Sequence, residues 1–184
     1  MGAAYLDLVI QRLNDLIRDE DRNELRILLN SFKCSAEPAS EHYLKNIAIK
    51  HEENDISRTY LFLDRKDLGA YIIRGFFTLA VKCLSVDEHH LMSDRTRQQM
   101  NIDRGVAQAY LLGQLAKADG AEKGFGREMM EHAFELFQGG NEMFGCRVVR
   151  LDCRDALMHY YESFGFVFIG KNRKSDLNQM IAII

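Results

Sequence analysis

The apolar positions of the chain change period several times, and each change marks an element. Leu6, Val9, Ile10, Leu13, Leu16 and Ile17 recur at three- and four-residue intervals, so the pattern predicts an amphipathic helix over residues 3–19. The charged run Arg18, Asp19, Glu20, Asp21, Arg22 closes that stripe. Residues 25–33 fit either a helix or a strand. The alternation at Ser31, Phe32 and Lys33 favours a strand ending near Cys34. Tyr43, Leu44, Ile47 and Ala48 share a helical face over 40–51, with Ser40 as the expected N-cap. Two β-forming runs follow, 59–64 and 72–86, the second interrupted by Gly75. A turn at Lys66, Asp67, Leu68 and Gly69 is expected between them. Residues 87–105 are polar, an excursion expected to hold a short helix and a loop.

The second half alternates more regularly. An apolar strand over 109–117 leads through a glycine-containing loop into a helix over 127–138 that buries Met129, Met130, Ala133, Leu136 and Phe137. A strand at 147–151 precedes a helix at 155–164 with Leu157, Tyr160, Tyr161 and Phe164 turned inward, and two last strands cover 167–169 and 178–183. The loop Ala121-Glu122-Lys123-Gly124-Phe125-Gly126 opens directly into its helix. Such a loop leaves backbone N–H groups unpaired at a helix N-terminus, where they can hold a pyrophosphate. Lys123 and Arg127 oppose the helix dipole there, which suits side chains that face phosphates. Read on its own, Tyr161 is a core tyrosine on the stripe of Leu157 and Phe164.

Composition narrows the class. With 184 residues, 47% hydrophobic and 28% charged, the chain reads as one soluble globular domain spanning 1–184. The net charge of −3 argues against a wholly basic nucleic-acid binder but allows a local basic patch. No apolar run reaches membrane-spanning length and no charged-then-apolar leader is present, so a cytoplasmic protein without membrane partners is expected. Cys34, Cys83, Cys146 and Cys153 form no Cys-x-x-Cys pair. The odd spacing of Cys146 and Cys153 sends them to opposite strand faces, so free, buried thiols are expected. His89 and His90 lack a ligand spacing, His132 and His159 fall on the polar sides of their helices, and no metal is assigned. Arg95, Arg97, Arg104, Arg147, Arg150 and Arg154 read as solvated or salt-bridged surface, with an RNA-binding surface as the sharper alternative. The N-terminal stripe is assigned to packing on its own domain, a homodimer contact being the second reading.

The order strand, glycine loop, helix, strand, helix over 113–166 resembles the GNAT superfamily of acyl-CoA N-acyltransferases. Phe76-Phe77-Thr78-Leu79-Ala80 is similar to the family's third strand, and Tyr110-Leu111-Leu112-Gly113-Gln114-Leu115-Ala116 to its fourth. Gly124-Phe125-Gly126 looks like the end of the acyl-CoA loop, although Ala121 stands where the family usually has Gln or Arg. Tyr161 with Gly165-Phe166 matches the family's Tyr-x-x-x-Gly-Phe ending. The resemblance implies an α/β fold: a mixed, mostly antiparallel sheet splayed between its fourth and fifth strands, with helices on both faces. It implies acetyl-CoA as co-substrate, held by Leu115, Ala116, Lys117, Ala121, Glu122, Lys123, Gly124, Phe125, Gly126 and Arg127. It gives Tyr161 the role of acid toward the departing thiolate, and leaves the base unassigned.

The implied activity is N-acetylation of a primary amine on a small molecule, a peptide or an aminoacyl-tRNA. Ser57-Arg58-Thr59-Tyr60, Leu112-Gly113-Gln114-Leu115-Ala116 and Tyr160-Tyr161-Glu162-Ser163-Phe164-Gly165-Phe166 are also similar to GNAT toxins of toxin–antitoxin pairs. Those proteins acetylate aminoacyl-tRNA and usually show Arg where this chain has Gln114. An antitoxin partner is implied by that subgroup. A non-catalytic domain that binds CoA or a protein partner is the remaining reading, motivated by Ala121.

Overall fold

The computed structural model describes residues 8–65, 70–87, 90–172 and 174–184. Leu6, the expected turn at Lys66, Asp67, Leu68 and Gly69, and His89 lie outside the described residues. The chain divides into two compact units. One gathers Gln114–His132 with the chain up to Leu79; the other gathers Ala80–Gly113 with Ala133–Ile184.

The first unit begins with a strand, β1 (Leu8–Arg12), followed by α1 (Leu13–Asp19). The helix expected over 3–19 is therefore corrected over 8–12. Val9 and Ile10 are β-branched, and these residues pair antiparallel with β2 (Arg58–Arg65), Leu8 opposite Asp64 through Arg12 opposite Tyr60. The helical spacing holds only from Leu13, where Leu13 and Leu16 are buried. Residues 25–33 are corrected as well: α2 (Arg22–Ser31) occupies most of them. Asp21 caps it, its carboxylate accepting from the Asn23 and Glu24 amides, and Leu25 and Leu29 are buried one turn apart.

The helix expected over 40–51 is broken into α3 (Pro38–Asn46) and α4 (Ala48–Glu53). Pro38 starts α3 two residues early, because a proline's missing N–H costs nothing in the first turn. Ser40 thus lies inside the helix and does not cap it.

β2 pairs antiparallel with β3 (Tyr71–Val81), and the alternation of their side chains sorts two layers. Leu61, Leu63 and Phe76 join Leu13, Leu25, Leu29, Phe32 and Leu44 in a core beneath α1 to α4. Tyr60, Phe62 and Phe77 face the opposite way, toward the start of α6 (Phe125–Phe144). Phe62 meets Phe125 at 5.6 Å and His132 at 6.0 Å between ring centroids. His132, expected on a polar face, is therefore packed among aromatic rings.

The second unit contains a small antiparallel pair, β4 (Leu84–Ser85) and β5 (Val106–Ala107), with α5 (Asp94–Gln99) between them in sequence. The start of β6 (Tyr110–Lys117), β7 (Val148–Cys153), β9 (Asn178–Ile183) and β8 (Val167–Lys171) follow in that hydrogen-bonded order. Leu84, Val86, Met100, Ala107, Ala109, Val148, Ile169 and Ile181 form its core. A 3-10 turn (Asp155–Leu157) and α7 (Met158–Glu162) replace the single helix expected at 155–164. Of the four side chains expected inward there, Tyr161 is buried and Leu157, Tyr160 and Phe164 are half-buried.

The main sheet has the order β1-β2-β3-β6-β7-β9-β8. β6 and β7, its fourth and fifth strands, form a parallel pair. Their ladder has two steps, Tyr110 with Val149 and Leu111 with Arg150. Leu112 and the residues after it carry no ladder pair to β7 among the described residues, which is the expected splay. All four cysteines are free; Cys34, Cys146 and Cys153 are buried and Cys83 is exposed.

Gly75 sits where β3, β6 and α6 close in on one another. A Cβ there would meet the Ala116 carbonyl oxygen at 3.0 Å and the Met129 sulfur at 2.8 Å. Replacing Gly75 with alanine is expected to lower stability by about 1–3 kcal/mol, the usual range for overpacking. Urea denaturation measures this, and an unchanged midpoint would contradict the close approach.

Candidate functional site

The segment that leaves β6 is tied down before it reaches α6. The β2–β3 register shifts between Phe62 and Leu63, so that Gly75 opposes Phe62 and Ile73 opposes Leu63, leaving Arg74 as the extra residue of a bulge. Bulges re-aim side chains, and this one presents Arg74 to the loop twice. Its carbonyl accepts the Ala118 N–H at 2.8 Å, and its guanidinium meets Glu122 at 2.6 Å.

The chain at 33–35 holds the next residue. The Asp119 N–H donates to the Lys33 carbonyl at 2.8 Å. The Asp119 carboxylate accepts from the Ser35 amide at 2.9 Å and the Ser35 hydroxyl at 2.7 Å. That segment is anchored in turn by Glu41 on α3, which accepts the Cys34 N–H at 2.8 Å and lies 2.5 Å from the Lys45 ammonium and 3.2 Å from that of Lys33. The Lys45 bond first, then the Cys34 amide, hold the Glu41 carboxyl down at about 2.

The loop itself turns through Gly120 and Gly124, both with positive φ, +78° and +99°. At Gly124 nothing lies within 4 Å of where a Cβ would be, so glycine serves the backbone conformation and leaves that side open. The amides of Phe125 and Arg127 bond back to the Glu122 and Gly124 carbonyls. Those of Lys123, Gly124 and Gly126 find no acceptor among the described residues. Three unpaired donors at the start of a 20-residue helix are suited to bind oxygens of an anion.

The sequence-predicted residues divide by exposure. Lys117, Glu122, Lys123, Gly124 and Arg127 are exposed, and Leu115, Ala121 and Gly126 half-buried. Ala116 and Phe125 are buried, so only their backbones are offered to a ligand. Lys117 turns its ammonium to within 3.4 Å of the Ala121 and Glu122 carbonyls, bracing the loop from the strand.

Five residues of this scaffold make contacts that were invisible in the sequence: Ser35, Arg74, Asp119, Ser40 and Gln114, the Ser40 hydroxyl donating to the Gln114 side-chain oxygen at 2.7 Å. No periodicity relates positions 74 residues apart, so no local signal was available for the last.

Tyr161 belongs to the second unit and is 7% exposed. Its spacing to Gly165 and Phe166 has a local physical cause. The Phe166 N–H bonds to the Tyr161 carbonyl at 3.3 Å and the Gly165 N–H to that of Glu162 at 2.9 Å, with Gly165 at φ +85°. This is the Schellman ending of a helix, and the Tyr161–Phe166 ring contact at 5.9 Å is the apolar contact that accompanies it.

No protein-family profile and no curated protein matches the sequence. Solved structures do match. The chain is similar to a KacT variant with a tyrosine changed to phenylalanine (18% identity, TM-score 0.72, 94% of this chain and 93% of that one). It is similar to AtaT complexed with acetyl-methionyl-tRNA (20%, 0.72, 94% of each). It is also similar to a tyrosine-to-phenylalanine variant of the AtaT toxin bound to the C-terminus of the antitoxin AtaR and acetyl-CoA (19%, 0.69, 96% and 93%). At these identities the likeness establishes the fold alone. No helix among the described residues is long and apolar enough to cross a membrane.

The Glu41 anchor makes a pH prediction. Its folded value of about 2 lies below the ordinary 4.5, so its contribution is present in full above about 4.5 and is lost as pH falls toward 2. Thermal unfolding followed by circular dichroism between those limits should show a falling midpoint that flattens in Glu41→Gln. An equally steep acid limb in the variant would remove Glu41 from the account.

Proposed function

We propose that this protein is an acetyl-CoA-dependent N-acetyltransferase. The observation that carries the reading is the cradle of three unpaired amides at the head of α6, on a fold shared over nearly its whole length with a toxin bound to acetyl-CoA. The pyrophosphate of the cofactor binds the amides of Lys123, Gly124 and Gly126, with Lys123 and Arg127 flanking it and Ala121, Glu122 and Phe125 shaping the turn. Leu115, Ala116 and Lys117 supply the strand backbone along which the acyl arm runs.

Acetyl transfer requires a neutral amine to attack the thioester carbonyl. The C–N bond forms, the C–S bond breaks, and charge develops on the oxygen between the two events. Backbone N–H groups of Leu115 and Ala116 are assigned to that charge. The departing thiolate takes a proton from Tyr161, a role that rests on the resemblance and not on the helix-cap spacing. The amine loses its proton to solvent before it attacks, since even an α-amino group is largely protonated at neutral pH.

The acceptor we favour is the amino group of a charged tRNA. The motivating finding is the likeness to AtaT in complex with acetyl-methionyl-tRNA, and an antitoxin partner is part of the same reading. Labelled acetyl should pass from acetyl-CoA to charged tRNA, and expression should arrest growth. Labelling of small amines or peptides with charged tRNA untouched would replace this acceptor and retain the enzyme.

Two variants separate cofactor binding from chemistry. Gly124→Val forces a β-branched residue into φ +99° and should abolish acetyl-CoA binding by calorimetry. Tyr161→Phe keeps the ring contacts and should leave binding and stability nearly unchanged. Loss of a positioned acid should lower kcat by about 10²–10⁴-fold. Normal binding in the first, or normal turnover in the second, would overturn the corresponding assignment.

A further inference from the structure

The second unit holds a cavity of about 480 Å³ that none of the proposed chemistry uses. It is lined by residues of β4, β7, the end of β8 with the chain after it, and β9. Arg150, Lys171 and Lys174 line it, against one lining carboxylate, Asp87. In a chain of net charge −3, three cations gathered on one cavity against a single anion are a local excess that composition does not explain.

Their hydrogen bonding shows that this excess is only partly answered from within. Arg150 is 14% exposed at its side chain, yet among the described residues its guanidinium makes one hydrogen bond, to the Cys83 carbonyl at 3.2 Å. The Asp152 carboxylate stands off at 3.6 Å and gives its near oxygen to Asn172 at 2.7 Å. A guanidinium carries five donors in a planar fork that matches a carboxylate or a phosphate, so this one is under-used. Lys171 has a surface partner, Asp155 at 3.2 Å, which is 83% exposed and therefore weakly held. Lys174 has no ion pair among the described residues. Asp87 is turned to His90, whose other ring nitrogen meets the Gln179 side-chain oxygen at 3.2 Å. The anion on the wall is thus engaged along the wall, while the cations keep donors to spare.

We propose that this cavity is a binding site for a small molecule or chain end bearing one anionic group, a carboxylate or a phosphate, with the Arg150 fork as its main anchor and Lys174 at its rim. The volume is in the range of small-molecule pockets and far exceeds what an inorganic anion fills.

The test is an amide chemical-shift titration of the full-length protein, with inorganic phosphate and with acetate in separate series at constant ionic strength. Saturable shifts are expected at Gly170, Lys171, Lys174 and Gln179. Affinity should fall about tenfold in Arg150→Met, the size expected for one charge-assisted pair. It should fall by a smaller factor in Lys174→Gln, a surface change that leaves folding intact. Saturation by phosphate alone assigns a phosphate ligand, and saturation by acetate alone a carboxylate. No saturable shift at these amides with either probe overturns the proposal, as do shifts that persist undiminished in Lys174→Gln. None of these readouts depends on acetyl transfer, so the site stands or falls apart from the enzymatic reading.

Discussion

The absence of a side chain at Gly75 is the constraint from which the candidate site follows. β3 approaches β6 and α6 so closely there that even one methyl group meets a backbone oxygen. Immediately before it, the bulge at Arg74 breaks the β2–β3 register and turns both the carbonyl and the guanidinium of that residue to the segment leaving β6. Strand, loop and helix head are thereby placed by backbone geometry more than by side-chain contacts. That suits a site whose donors are themselves backbone amides, since their positions vary little with the loop's own sequence. Ala121 in place of a longer polar side chain is tolerable on the same grounds.

Around this arrangement the polar bonds work outward in a chain: Lys45 and Lys33 to Glu41, Glu41 to the Cys34 amide, Ser35 to Asp119, Arg74 to Glu122. Each link is at or near the surface and individually weak. Together they fix a stretch of the first unit that has no regular secondary structure. The same logic separates this stretch from the cavity of the second unit, where the lining cations outnumber the lining carboxylates and keep donors unused.

Elements with a consistent period were legible in the sequence: β2, β6, β7 and the last two strands lie where the pattern put them, while β3 stops at Val81 short of the expected 86 and α6 runs from Phe125 to Phe144, beyond the expected 127–138 at both ends. The failures came where two periods overlap. Leu6 to Ile17 keeps a helical spacing, yet Val9 and Ile10 take the ladder of β2, because tertiary pairing outweighs a stripe that can equally be read as β-branched. In α2, the cap at Asp21 and the inward pair Leu25 and Leu29 were the available signals, masked by the alternation at 31–33. Gly124 was readable because φ > 0 selects glycine locally, whereas Gly126, the other glycine of the expected loop, lies inside α6 without a positive φ. The Arg74 bulge, Asp119 with Ser35, and Ser40 with Gln114 were not, because each depends on contacts between distant positions. The Tyr161 spacing was readable for a different reason from the one that drew notice to it: it is the signature of a helix ending.

The central claim is that the unpaired amides at the head of α6 bind acetyl-CoA. Hydrogen exchange at single amides, followed by NMR with and without saturating acetyl-CoA, addresses it without reference to any acceptor. Exchange at Lys123, Gly124 and Gly126 is expected to slow markedly on saturation while exposed amides of α2 are unaffected. Unchanged exchange at those three positions in a protein saturated with acetyl-CoA would contradict it, as would failure to reach saturation at all.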